Sequence, residues 1–134
     1  MFTFLIISET KNISTNIYQA FSKIGVPEQE SGGRFIVESP NGMKDGWIAF
    51  QPIIDIQHDY EADELAEIEK KVKNPSFFLI EGRNGTINFS DKFILEFNLA
   101  GKTMIDNDHG IISELSDIKD KIRSGEDWLH LKPA

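Results

Sequence analysis

The hydrophobic pattern of the first fifty residues predicts a strand, a helix and a hairpin. Residues 2–7 form a short, almost wholly apolar run, as in a strand buried on both faces. A helix follows, because five apolar residues recur at helical spacing and Gly25 and Pro27 then end it. These five are Ile13, Ile17, Ala20, Phe21 and Ile24. Residues 34–38 and 47–51 predict two strands joined by a long, glycine-containing tip.

The middle of the chain predicts an amphipathic helix over residues 62–73. Leu65, Ile68 and Val72 are spaced as i, i+3 and i+7, which places them on one face. Acidic residues occupy the first turns of this helix and lysines its last turns, which suits the helix dipole.

The remaining pattern predicts further strands and a final helix. The strands are expected at residues 77–80, 86–89, 93–97 and 102–106. The first is apolar enough to be central, and Asn84 and Gly85 favour a hairpin after it. Phe93, Leu95 and Phe97 alternate with other residues, as in a half-buried strand. The last helix is expected to begin near Ser113.

Strands joined by hairpins, with helices between them, favour an α+β two-layer sandwich: a mostly antiparallel sheet with about three helices. The length predicts one globular domain, residues 1–134. No apolar run approaches the ~20 residues of a membrane-spanning helix, and the first residues lack the pattern of a secretory signal. The chain has no cysteine, which excludes disulfides. We therefore expect a cytoplasmic protein that does not insert into membranes.

Charge adds the most informative feature, a stretch of seven carboxylates that no Lys or Arg interrupts. They are Asp55, Asp59, Glu61, Asp63, Glu64, Glu67 and Glu69. The net charge is −8, and the chain has no cluster of basic residues, so we expect no nucleic acid binding. A strongly negative surface attracts a basic protein and speeds its approach. The alternative is a solvated helix face, but Asp55 and Glu61 precede the predicted helix.

One motif suggests chemistry, at residues 106–110. Asp106, Asp108 and His109 are possible metal ligands. Gly110 is fifth in the motif, whereas a calcium loop requires a glycine at the sixth position. Asp, Asn and Gly are also turn residues, which favours a strand-to-helix turn over a metal site. The spacing of His58, His109 and His130 does not bring them together, and we predict no catalytic residue, metal or cofactor.

The C-terminal half resembles the bacterial immunity proteins of polymorphic and contact-dependent growth inhibition toxin systems. The resemblance lies in the strand end Thr103-Met104-Ile105-Asp106, the turn Asn107-Asp108-His109-Gly110, and Gly125-Glu126-Asp127-Trp128 after a short helix. It implies a small cytoplasmic protein that binds a cognate toxin domain and blocks its active site. In many such pairs the toxin is a basic nuclease, but the families share no single binding surface.

The expected function is therefore that of an immunity protein, not an enzyme. The expected contact residues are Asp55, Asp59, Tyr60, Glu61, Asp63, Glu64 and Glu67. Tyr60 is included because aromatic side chains often dominate interface energies. Two alternatives remain open: a regulatory interaction domain with an unrelated partner, and a metal-dependent enzyme that uses Asp106, Asp108 and His109.

Overall fold

A computed structural model describes residues 1–52 and 59–134. Its strands are β1 (Phe2–Ser8), β2 (Glu28–Gln29), β3 (Phe35–Glu38), β4 (Trp47–Gln51), β5 (Ser76–Arg83), β6 (Thr103–Asp106) and β7 (Ile112–Glu114). Its α-helices are α1 (Ser14–Ile24), α2 (Ala62–Lys71), α3 (Phe89–Glu96) and α4 (Leu115–Arg123). The described strands form one sheet of order β2-β3-β4-β5-β1-β6-β7, in which every neighbouring pair is antiparallel.

The main hydrophobic core lies between one face of the sheet and three helices. Side chains alternate along β1, so Phe2, Phe4 and Ile6 enter this core together with buried residues of α1, α3 and α4. Phe4 meets the buried Trp128 ring edge to face, with 5.2 Å between ring centroids. The C-terminal segment is therefore packed into the core.

Helix α2 covers part of the opposite face. Ile7 points away from the main core and packs with Ile68 and Val72 of the α2 region and with Met104 of β6. This second cluster is small, and it fixes α2 above β1 and β6. The predicted helix face is confirmed at Ile68 and Val72, which are both buried.

The α+β sandwich and most of its predicted elements are confirmed. Strands β3 and β4 pair as the expected hairpin, and β5 lies fourth of seven in the sheet. Four α-helices lie within the described residues, where about three were expected. None of the helices in the described ranges is long and apolar enough to cross a bilayer.

The strands predicted at residues 86–89 and 93–97 are wrong, and so is the hairpin predicted at Asn84 and Gly85, because α3 is the next element after β5. Helix α3 spans Phe89–Glu96, and Phe89, Phe93 and Phe97 are all fully buried. Their spacing of four residues places them on one helical face. The same segment therefore fits a helix through this spacing and a strand through the alternation of Phe93, Leu95 and Phe97. The Asn88 side chain accepts a hydrogen bond from the Asp91 N–H, which caps the helix.

The last helix begins later than predicted, at Leu115. Ser113 belongs to β7, a short strand that pairs with β6. Strand 102–106 is therefore not the last strand, although its predicted position agrees with β6. Three residues are too few to show a clear alternation pattern, so β7 was indistinguishable from the first turn of a helix.

Candidate functional site

A depression of about 440 Å³ opens on the face of the sheet that α2 partly covers; we call it the acidic pocket. Among the described residues, four carboxylates line it together with apolar and small residues. The carboxylates are Asp59, Glu64, Asp106 and Asp108, and the other lining residues are Thr3, Leu5, Tyr60, Leu79, Gly110 and Ile112. The acids come from two segments more than forty residues apart in the chain.

Strand register builds the floor of the acidic pocket. Leu5 of β1 lies opposite Leu79 of β5 on one side and opposite Asp106 of β6 on the other. Asp106 in turn lies opposite Ile112 of β7. Directly opposed residues share a face of the sheet, so these four side chains form a row across four strands. The row places one carboxylate among three aliphatic side chains.

Two hydrogen bonds fix the buried Asp106 carboxylate. The Tyr60 hydroxyl donates to Oδ2 at 2.6 Å, and the Asp108 N–H donates to Oδ1 at 2.9 Å. The Tyr60 ring packs against Phe77, with 5.4 Å between centroids. Burial, and then the hydrogen bond and negative charge of Asp106, raise the pKa of Tyr60 above its ordinary value. Tyr60 therefore remains a hydrogen-bond donor to Asp106 at neutral pH.

Asp108 is held close to Asp106 in an unfavourable backbone conformation. Its φ is 64°, in the left-handed region that Asp tolerates better than most residues. Partial burial, and then the charge of Asp106, raise the pKa of Asp108, whereas His109 acts in the opposite direction. The negative charges of the pocket therefore disfavour one another, and a bound cation would relieve this repulsion.

The buried Asn107 holds the loop that carries these acids. Its Nδ2 donates to the carbonyl oxygens of Trp128 and Leu131, both at 2.9 Å. Its Oδ1 accepts from the N–H groups of His109 at 2.9 Å and Ile111 at 3.1 Å. All four bonds of the amide are thus made within the protein. They connect the β6–β7 loop to the C-terminal segment.

A second depression, of about 350 Å³, adjoins the first along α2, and we call it the α2 groove. Its apolar residues are Ile68, Met104 and Ile112, and its charged residues are Asp63, Glu64, Glu67 and Lys71. Glu64 and Ile112 line both depressions. The two therefore form one continuous, largely acidic surface beside the start of α2.

The structure groups most of the predicted contact residues. Asp59, Tyr60 and Glu64 line the acidic pocket, and Asp63, Glu64 and Glu67 line the α2 groove. Glu61 is exposed at the start of α2 and lines neither depression. Asp55 lies outside the described residues.

The predicted residues differ in how much charge they offer. Glu67 forms an ion pair with Lys70 at 2.8 Å, so part of its charge is neutralised. Among the ion pairs that residues 1–52 and 59–134 form with one another, none involves a carboxylate of the acidic pocket. The strongest negative field is therefore expected at the pocket, not along the whole predicted stretch.

Sequence reasoning missed Asp106 and Asp108 as members of the acidic surface. It placed them in a separate turn, because the pairing of β1 with β6 and the position of α2 are tertiary features. One local feature of the sequence indicated that Asp106 belongs to this surface. It lies two residues after Met104 and therefore on the same face of β6. The prediction that residues 106–110 form a turn agrees with the local hydrogen bonds of Asp106 and Asn107. The predicted strand-to-helix connection is wrong, because the turn leads from β6 into β7 and the helix begins only after β7.

Two of the three histidines lie closer together than the sequence predicted. The His109 and His130 rings lie 5.6 Å apart, although their sequence spacing gave no reason to expect it. His130 Nδ1 is 2.8 Å from Asp127 Oδ2, and His58 is outside the described residues. Within the described ranges, no group of three or more His, Asp or Glu side chains is placed to hold a metal ion.

The chain matches no family model, no curated protein and no solved structure.

Proposed function

We propose that this protein is an immunity protein, which binds a cognate bacterial toxin domain and occludes its active site. The observation that carries the proposal is the convergence of Asp59, Glu64, Asp106 and Asp108 around one pocket with an aliphatic floor. A Lys or Arg side chain suits such a site, because its aliphatic stem can lie on apolar residues while its charged end meets carboxylates. A basic nuclease is the expected partner, since its substrate cleft is built to receive anions.

The acidic surface contributes to binding in two different ways. Exposed acids such as Asp59 and Glu64 accelerate encounter with a basic protein but add little lasting affinity. Asp106 is buried, and its position is fixed by Tyr60, so no side-chain ordering is required when a cation arrives. Ion pairs that become desolvated at this point are expected to slow dissociation.

Under this proposal the protein acts in the cytoplasm and transforms no substrate. It uses no cofactor, and it binds neither nucleic acid nor a membrane. The net charge of −8 supports this reading, because phosphate backbones and anionic lipid surfaces repel such a chain. The resemblance of the C-terminal half to immunity proteins supports the same function independently of charge.

Co-expression with the toxin tests the function. A candidate toxin domain, identified by capture with this protein from its native cell, is induced in a bacterial host with and without this protein. We expect growth to be restored only when the protein is present, and the two purified chains to form a complex. Lack of protection, with both chains folded and soluble, would falsify the proposed function.

A variant set connects that protection to the acidic pocket. Asp59→Asn, Glu64→Gln and Asp108→Asn together remove three charges but keep similar side-chain shapes. Asn is suitable at position 108 because it tolerates positive φ. We expect this triple variant to bind the toxin about tenfold more weakly, chiefly because the loss of three exposed charges slows association. Unchanged affinity would place the contact surface elsewhere on the molecule.

A further inference from the structure

The α2 groove suggests how a partner is recognised beyond simple attraction of charge. Resting on the proposed function, we propose that this groove receives a short segment of the toxin domain in which an apolar side chain is flanked by Arg or Lys. The apolar side chain contacts the floor of the groove, and the basic side chains meet the carboxylates around it.

The floor provides an apolar contact surface of limited size. Met104 and Ile68 are buried members of the small cluster beneath α2, and Ile112 is half-buried beside them. They form the bottom of the groove, where a partner side chain can be removed from water. Anchors of this kind commonly supply most of the energy of an interface. A purely charged partner would leave this floor unused.

Charge complementarity identifies the chemistry of the occupant. Asp63, Glu64 and Glu67 line the groove, and of its described lining residues Lys71 alone carries a positive charge. The Lys70 ion pair takes up part of the charge of Glu67, so Asp63 and Glu64 offer the most negative charge. An apolar segment flanked by acids would be repelled, and a neutral segment would gain nothing from these groups. Flanking Arg or Lys residues therefore suit the groove best.

The groove also has a direction and a length. Its acids lie towards the start of α2, and Lys71 is the last residue of the helix. Eight helical steps of 1.5 Å separate positions 63 and 71, which gives about 12 Å. An extended chain covers this distance in three or four residues. Since Glu64 and Ile112 line the acidic pocket as well, a basic residue at the acidic end can extend into that pocket.

Methyl-labelled protein and three capped tripeptides test the proposal without the toxin. The peptides are Arg-Leu-Arg, Arg-Gly-Arg and Glu-Leu-Glu, and NMR follows the methyl signals of Ile68, Met104 and Ile112. We expect Arg-Leu-Arg to shift these signals and to bind about tenfold more tightly than Arg-Gly-Arg, which lacks the apolar anchor. Glu-Leu-Glu should cause no shift. The methyl group of the exposed Met43 serves as the internal control.

Matched variants locate the binding. Asp63→Asn with Glu64→Gln should weaken Arg-Leu-Arg binding several-fold, because two carboxylates are lost while the side-chain oxygens that cap α2 remain. Glu69→Gln, on the same helix but outside both depressions, should leave it unchanged.

Several results would overturn the groove proposal. Equal binding of Arg-Leu-Arg and Arg-Gly-Arg, or shifts outside the groove only, would exclude the apolar anchor. Shifts of the groove methyls on concentrating the protein alone would make a second copy of this chain the occupant. Failure of the groove proposal can be distinguished from failure of the proposed function. If the protein protects against the toxin but does not bind the peptide, only the groove proposal is wrong. If the protein binds the peptide but does not protect against the toxin, the proposed function is wrong and the groove binds another basic polypeptide.

Discussion

Asn107 shows how one buried side chain can position a site that it does not line. Its amide makes four hydrogen bonds within the protein, two to the β6–β7 loop and two to the C-terminal segment. Asp106 and Asp108 are its chain neighbours on either side, so the geometry of the acidic pocket depends on this amide. Removal of the amide would break all four bonds and would leave the carbonyl oxygen of the buried Trp128 without this partner.

We expect Asn107→Ala to lower the free energy of unfolding by about 2–4 kcal/mol, because one buried and three partly buried hydrogen bonds are lost at once. Urea denaturation followed by circular dichroism measures this value. The exposed Asn98 provides the control, and its replacement by Ala should cost well under half as much. A loss of less than 1 kcal/mol at position 107 would mean that water replaces the amide easily.

Asp45 makes a comparable connection elsewhere in the molecule, between the β3–β4 hairpin and the residues after β5. It accepts hydrogen bonds from the Thr86 hydroxyl at 2.7 Å, the Thr86 N–H at 3.1 Å and the Ser39 hydroxyl at 2.8 Å. These bonds, led by that of the Thr86 hydroxyl, lower the pKa of Asp45 from 3.8 to about 2.

The lowered pKa predicts a defined pH dependence of stability. A carboxylate whose pKa is lower in the folded state stabilises the protein above its unfolded value, here 3.8, and this contribution is lost as the pH falls towards 2. We therefore expect Asp45→Asn to lower the melting temperature at pH 7, with a difference from the parent protein that narrows between pH 4 and pH 2. Melting curves across this range provide the test. A pH-independent difference would show that the charge of Asp45 is not responsible.

At the scale of single elements, α3 is the clearest example of competing patterns. Phe89, Phe93 and Phe97 fit a helix, whereas Phe93, Leu95 and Phe97 fit a strand. The cap at Asn88 and the three buried phenylalanines favour the helix, and Leu95 is left partly exposed on its outer side. A local cap thus contributes to the choice between two structures with similar hydrophobic patterns.

Replacement of the cap should therefore be measurable. We expect Asn88→Ala to lower the free energy of unfolding by about 1 kcal/mol, because the first turn of α3 loses a side-chain acceptor. Asn88→Ser should restore most of this stability, since Ser is also a preferred cap. Equal unfolding midpoints for all three proteins would assign the stability of α3 to packing alone.

Local periodicity was sufficient to predict the elements that bury one continuous face. Helix α2 and the β3–β4 hairpin were predicted from apolar spacing and turn residues. Strand β7 was not, because three residues are too short for a period to be recognised. Only part of the acidic pocket could be predicted from the sequence. Asp59 and Glu64 belong to the charged stretch, whereas Asp106 lies near them because of the strand register.

At the scale of the whole molecule, the rate of association with the toxin should depend more on where the negative charges lie than on the net charge. The triple variant Asp59→Asn, Asp63→Asn, Glu64→Gln removes three charges beside the start of α2. The triple variant Glu28→Gln, Glu69→Gln, Asp117→Asn removes three exposed charges outside the acidic pocket and the α2 groove. Both proteins therefore have the same net charge.

We expect the first triple variant to associate with the toxin domain about tenfold more slowly at low salt, and the second to associate nearly as fast as the parent protein. The difference should shrink at high salt, because screening weakens the steering field. Stopped-flow association rates at two salt concentrations provide the measurement. Equal rates for the two variants would mean that only net charge steers the encounter.

The short strands at the two ends of the described sheet have a consequence for behaviour at high concentration. Strand β2 has two residues and β7 has three. Each edge strand is therefore only about 7–10 Å long, which leaves another chain little backbone to pair with. Long, flat margins nucleate fibres, whereas short ones beside charged side chains discourage them. We therefore expect little pairing between the sheet edges of neighbouring molecules, even at high protein concentration.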